Sequence, residues 1–290
     1  MSARIRREAD GYAELRDRVQ RTSSRARVLH LLDDLGLAPS AGLTVRKVTS
    51  ESLAADSVMR GAIVMHLDLV FRSSVSAAEL AFTAEHGVVL VTMHPDLEGV
   101  PVAVVLASAG SQLSETRAQL FGEPQCSLAD ADAVMPYALA ASPGGLGAGR
   151  ALLGELIRSC AAAAKPPRIT TFSPLTGLRA YVMRCVDDPS EWARVVSRDG
   201  EVDGKKLQGQ LLDVIALDQL PANIPDPARG WLRREATEFA RSPKYKVGNF
   251  HRSMGAVLAG VLEDADPVDS DALWWRAWFD YGRADASFGR

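Results

Sequence analysis

The sequence predicts an α/β (α+β) protein: a mixed central sheet with flanking helices, preceded by a short helical N-terminal segment. Three observations predict it. Residues 88–93 and 100–106 are two runs rich in valine and other β-formers. Residues 133–140 are a third apolar run of strand length, and a glycine-rich stretch and a helical pattern follow it directly. Residues 168–172 form a further strand, after which the periodicity becomes helical to about residue 241. Strand pair, strand, glycine turn, helix and strand is an order that calls for a mixed sheet with helices on it.

The elements follow in order. Arg4 to Arg21 is a charged helix with few apolar positions, and Ser24 caps a second helix carrying Val28, Leu29, Leu31, Leu32 and Leu35 at helical spacing. Ala38-Pro39-Ser40-Ala41-Gly42 is a linker signal, so the expected division is a helical segment at 1–42 and one catalytic domain at 43–290. Residues 43–48 alternate like a strand, Ser50 starts a helical region, and 61–71 fits either helix or strand. His94 to Gly99 is rich in turn residues and makes the two valine-rich runs a hairpin. The helix after the glycine stretch extends to about Ala164. Further helical patterns cover 177–186, 189–197, 204–219 and 227–241. Tyr245 to Phe250 reads as a strand-like lead into His251, before an apolar stretch at 254–262 and a densely aromatic end at 274–281.

Bulk properties exclude several classes. A net charge of −3 and a pI near 6.0 do not provide the basic footprint of a nucleic-acid binder. Cys126, Cys160 and Cys185 are odd in number and lack Cys-x-x-Cys spacing, so neither a disulfide framework nor a metal site is expected. No apolar run approaches the ~20 residues that span a bilayer, and the charged start (Arg4, Arg6, Arg7, Glu8) is not a secretion signal. A cytoplasmic protein is expected, with no membrane partner. The excess of arginine over lysine and the abundance of alanine fit a bacterial gene of high GC content.

Chemistry concentrates in three places. Gly144, Gly145, Gly147 and Gly149 precede Leu152, Leu153, Leu156 and Ile157 at helical spacing. Glycines remove the side chains that keep a ligand from the backbone amides, and a helix start with bare amides takes anions, phosphate above all. The stretch is no nucleoside-triphosphate loop, since no Gly-Lys-Ser/Thr ends it, and its spacing fits a dinucleotide fingerprint poorly. Ser173 stands at the end of a strand before Pro174, where a hydroxyl can face a cleft or simply start a turn. His251 sits in Asn249-Phe250-His251-Arg252-Ser253, polar residues between apolar segments, as a proton-transfer group or a structural hydrogen-bonder. His66 and His94 read as structural, and His30 and His86 as surface residues.

The Gly-x-Gly-x-Gly core with Arg150 and Leu152-Leu153 resembles the pyrophosphate loop of GNAT acetyltransferases. Longer segments resemble the malonyl-CoA decarboxylase family. Thr171 to Leu178 is similar to its LSPIPGF segment, Asn249 to Ala256 to its FHLxNGA segment, and Asp280-Tyr281 to a late NYRY. Residues 135–157 resemble its strand and coenzyme A loop, and His94 to Leu106 its hairpin, all in order over 43–283. The resemblance implies a GNAT-like catalytic domain that removes carbon dioxide from a malonyl thioester, in which Ser173, His251 and Tyr281 act. It implies that Gly145, Leu146, Gly147, Ala148, Gly149 and Arg150 hold coenzyme A as part of the substrate, with no cofactor besides. The partner would be an acyl-CoA or acyl-carrier-protein thioester, and a homo-oligomer is allowed. Two departures stand: only 1–42 could correspond to the family's helical N-terminal domain, and residues 142–150 lack the glutamate that some members carry there. A GNAT-type acyltransferase and a non-catalytic acyl-CoA-binding protein remain as alternatives.

Overall fold

A computed structural model describes residues 43–71, 75–93, 101–112, 126–141, 147–198, 203–221, 223–265 and 269–284. The expected N-terminal helices and the linker at 38–42 lie outside these residues, as does the turn at 94–99. Among the described residues there are seven strands and nine helices, and the strand pairing is mixed. The chain divides into two compact units, which meet in sequence at Ile169 and Thr170.

The first unit contains β1 (Thr44–Val48), α1 (Ser50–Ala55), α2 (Ser57–Phe71), α3 (Ala77–His86), β2 (Val88–Met93), β3 (Pro101–Gly110), β4 (Ala133–Ala141) and α4 (Ala148–Ala161). The four strands are antiparallel neighbours in chain order, with Val91 opposite Val104 and Val105 opposite Leu139. Every residue of β2 and the first seven of β3 are buried, the unbroken apolar pattern of strands covered on both faces. Helices α2, α3 and α4 pack against them. The ambiguous 61–71 run is therefore helical: Ile63 and Leu67, one helical turn apart, are fully buried. Capping boxes start α1 (Thr49 with Ser52) and α3 (Ser76 with Glu79).

Pro136 lies inside β4 and has no N–H for the ladder. The register between β3 and β4 shifts at this point, from Leu106 opposite Ala138 to Ala107 opposite Pro136, so Tyr137 is the extra residue of a bulge. Its phenol meets Thr83 Oγ1 of α3 at 2.6 Å. The first residues of β5 (Arg168–Pro174) run parallel to β4, Ala133 opposite Arg168 and Val134 opposite Ile169.

The second unit carries the rest of β5, then α5 (Leu178–Asp187), α6 (Pro189–Arg198), α7 (Gly204–Ile215), α8 (Asp226–Arg241), α9 (Lys246–Ser253), β6 (Val257–Leu262) and β7 (Arg276–Arg283). Here β7 lies between β5 and β6 and is antiparallel to β6, with Leu258 opposite Phe279. The aromatic end of the sequence supplies this unit's core: Trp274, Trp275 and Phe279 are buried with Trp231, Phe239 and Tyr245. The helical periodicities after residue 177 become α5 to α8. Residues 245–250, expected to be strand-like, instead open a helix, α9. The sequence there carries no β-branched run. Its buried residues Tyr245, Gly248 and His251 recur every three residues, one helical face. Strand β5 extends through Pro174, so Ser173 lies within the strand and not after it.

Candidate active site

Strand β5, helix α9 and strand β7 each contribute one of the three side chains singled out in the sequence. Ser173 Oγ lies 2.8 Å from His251 Nε2, and His251 Nδ1 lies 2.6 Å from the Tyr281 hydroxyl. The three residues are far apart in sequence and form one hydrogen-bonded chain. All three are buried. The imidazole stacks on Phe279 with ring centres 4.7 Å apart, and the edge contact of Phe250 comes at 5.3 Å.

Local sequence fixes each partner. Ser242-Pro243 ends α8, since proline cannot continue a helix. Arg252 returns from α9 to donate to the carbonyls of Ala240 and Ser242, and Asn249 Nδ2 donates to the carbonyl of Pro243 at 2.6 Å. These bonds satisfy the open carbonyls at the end of α8 and set the rotation of α9 that aims His251 inward. Alternation along β7 sends Phe279 and Tyr281 to the same buried face.

Burial holds the His251 pKa down, from an ordinary 6.5 to about 4, and the neighbouring Arg252 charge pushes the same way. The ring is therefore neutral near pH 7. Burial pushes the Tyr281 phenol up, so it keeps its proton. A neutral imidazole has one N–H for two partners. If Nε2 holds it, Ser173 accepts and Tyr281 donates to Nδ1; with the proton on Nδ1 both roles reverse.

Of the six predicted coenzyme A residues, Gly147, Ala148, Gly149 and Arg150 belong to the first unit. Gly145 and Leu146 lie outside the described residues. Gly147 precedes α4 in the left-handed region (φ 70°), which glycine adopts without strain, and gives the helix no side-chain cap. Ala148, Gly149 and Arg150 form the first turn; Ala148 and Gly149 are buried and Arg150 is exposed. Thr92 Oγ1 donates to the Ala148 carbonyl at 3.4 Å and ties the helix start to β2. Among the described residues, no group of three His, Cys, Asp or Glu side chains is placed to hold a metal ion. Nor is any helix long and apolar enough to cross a membrane.

Sequence reasoning missed Tyr245 and Phe279. Tyr245 donates to the carbonyl of Pro174 at 2.9 Å, beside Ser173, and Phe279 forms the floor under His251. The one local signal near Tyr245 was Gly248, since an isolated glycine in a strand-like pattern suggests a bulge or a close approach.

No protein-family model matches the sequence, and no curated protein matches it. Solved structures do match. Malonyl-CoA decarboxylase from Rhodopseudomonas palustris superposes with a TM-score of 0.65 at 16% identity, over 97% of this chain and 72% of that one. The malonyl-CoA decarboxylase from Agrobacterium vitis gives 0.61 at 14%, over 94% and 69%. The loading GNATL domain of CurA from Lyngbya majuscula gives 0.51 at 12%, over 83% of this chain and 98% of that domain. The chain has the mixed α/β, GNAT-like fold. Solved proteins that share it include malonyl-CoA decarboxylases and a GNATL domain, in agreement with the resemblance of the motifs.

Proposed function

We propose that the protein is a carbon–carbon lyase that decarboxylates malonyl-CoA, or a related malonyl thioester, to acetyl-CoA and carbon dioxide. The observation that carries this reading is the buried Ser173–His251–Tyr281 chain in a fold shared with malonyl-CoA decarboxylases. In the reaction the bond between the α-carbon and the carboxylate breaks. Carbon dioxide leaves, the electron pair passes into the thioester as an enolate, and the α-carbon then takes one proton. The site must bind the carboxylate out of the carbonyl plane and deliver that proton. Ser173 is the group facing the substrate. Its hydroxyl gives a proton to the α-carbon, the His251 Nε2–H restores it, and Tyr281 gives its proton to Nδ1, to be replenished from solvent. The imidazole changes tautomer and stays neutral, in keeping with its depressed pKa. No further cofactor enters this scheme.

An acyl-serine route is less well served. Hydrolases of that kind use the N–H of the residue after the nucleophile to hold the oxyanion. Here that residue is Pro174, which has none. Coenzyme A is assigned to residues 145–150, supported by the uncapped start of α4 behind Gly147. The reading also places the protein in the cytoplasm, where Cys126, Cys160 and Cys185 stay reduced.

Incubation with malonyl-CoA, with and without amine acceptors, tests the reaction. Acetyl-CoA and carbon dioxide in both cases are expected. An acyl-amine product would make it an acyltransferase, and coenzyme A binding without turnover a binding protein. The loop is tested separately with Gly147→Glu. A Cβ at this position meets no atom within 4 Å, so the folded variant pays only the left-handed strain of about 1–2 kcal/mol. Its added charge should repel pyrophosphate and lower coenzyme A affinity at least ~10-fold, measured by calorimetry. Unchanged affinity in the folded variant overturns the placement.

A further inference from the structure

We propose that Tyr245 is a positioning residue for the Ser173–His251 pair, acting on both partners at once. This inference rests on the roles assigned above to Ser173 and His251. The Tyr245 side chain is buried at the start of α9, the helix that bears His251. Its hydroxyl reaches back to β5, 2.9 Å from the Pro174 carbonyl and 3.4 Å from the Ser173 carbonyl. Its ring stacks on Phe279 (6.3 Å between centres, 23°), and Phe279 stacks on the His251 imidazole (4.7 Å, 26°). One side chain therefore fixes the main chain of the serine and backs the ring of the histidine.

The surroundings support this role. The next backbone group, Leu175 N–H, is held by the Trp275 carbonyl at 3.0 Å, so residues 173–175 are tethered in succession. Pro174 offers no N–H, leaving its carbonyl as the main-chain handle beside the serine. Burial raises the Tyr245 phenol, which keeps the hydroxyl a donor throughout the neutral range. Phe239 packs against the ring, centres 5.5 Å apart, and restricts its rotation. A tether of this kind affects rate more than binding, since a small displacement of a proton donor weakens the transition state more than the ground state.

The test is Tyr245→Phe, which keeps the ring and removes the hydroxyl. Two readouts are needed: steady-state kinetics on malonyl-CoA, and the NMR titration of the His251 imidazole, whose neighbours are Ser173, Tyr281 and the Arg252 charge. In the folded variant kcat should fall about 10- to 100-fold with KM within about twofold. The His251 titration should move up from about 4, as a loosened site admits water. Tyr181→Phe is the control. It removes another phenol of the same unit, bonded to buried Glu235 at 3.0 Å, and should lower stability and leave the His251 titration alone. An unmoved His251 titration in folded Tyr245→Phe overturns the inference whatever the kinetics. Failure of the wild type to turn over malonyl-CoA overturns the proposed reaction instead, and the NMR arm still decides the positioning.

Discussion

His66 in the first unit and His251 in the second are both buried, and they differ in what they are bonded to. His66 Nε2 lies 3.2 Å from the carbonyl oxygen of Ala140 on β4. A carbonyl only accepts, so Nε2 must be the donor in this bond and cannot exchange roles with its partner. The partners of His251 are two hydroxyls, Ser173 and Tyr281, each able to donate or accept. Its proton can sit on either nitrogen without leaving a buried group unpaired. Burial does not separate the two histidines; the reversibility of their hydrogen bonds does, and that is the difference expected between a structural and a proton-transferring ring.

The strongest way to break this comparison is His251→Ala. A positioned acid or base typically supplies about 10²–10⁴-fold, so kcat and kcat/KM for malonyl-CoA should fall together by that order, while coenzyme A affinity changes little. A folded variant that decarboxylates like the wild type would make His251 as structural as His66.

Stability against pH gives the next largest effect. His251 takes a proton near 6.5 when unfolded and near 4 when folded. Above pH 6.5 its contribution is fully present. As pH falls towards 4 the unfolded chain binds a proton that the folded one refuses, so stability is lost over that window, by about 3 kcal/mol in all. Chemical unfolding at pH 7 and pH 4.5 should show a loss smaller by about 2–3 kcal/mol in His251→Gln than in the wild type. Equal losses would mean that the ring is not held neutral.

His66→Ala should show the smallest effect on function. It strips a donor from a buried carbonyl and should cost about 2 kcal/mol of unfolding free energy, with kcat of the folded protein within about twofold. A fall in kcat comparable to that of His251→Ala would put His66 in the same class and remove the contrast.

Legibility in the sequence followed the range of the interactions. Strands β2 and β3 and the start of α4 were readable because β-branched runs and glycine turns act within a few residues, and β4 as an apolar run of strand length before the glycines. The 61–71 segment was ambiguous because an apolar run without alternation suits either element. Helix α9 was misread because its buried face consists of Tyr245, Gly248 and His251, none a strong helix former. Its tertiary tethers, such as Arg252 to the Ala240 carbonyl, override propensity. Ser173, His251 and Tyr281 were found through motif resemblance, whereas no local pattern links Tyr245 to Pro174, 71 residues earlier.

Gly248 carries a consequence for how such chains can change over generations. A Cβ there would stand 2.4 Å from Cδ1 and 2.8 Å from Cε1 of Tyr245. Glycine inside a helix is about 1 kcal/mol worse than alanine, and the crowding by the aromatic ring, with Arg252 Nη1 at 3.2 Å, accounts for it. Positions 245 and 248 are thereby coupled. A related chain that replaces the tyrosine with a small residue can place alanine at 248 with a small shift of the Arg252 side chain, and one that keeps the ring must keep the glycine. The pair should covary as a unit, three residues apart and three before the histidine.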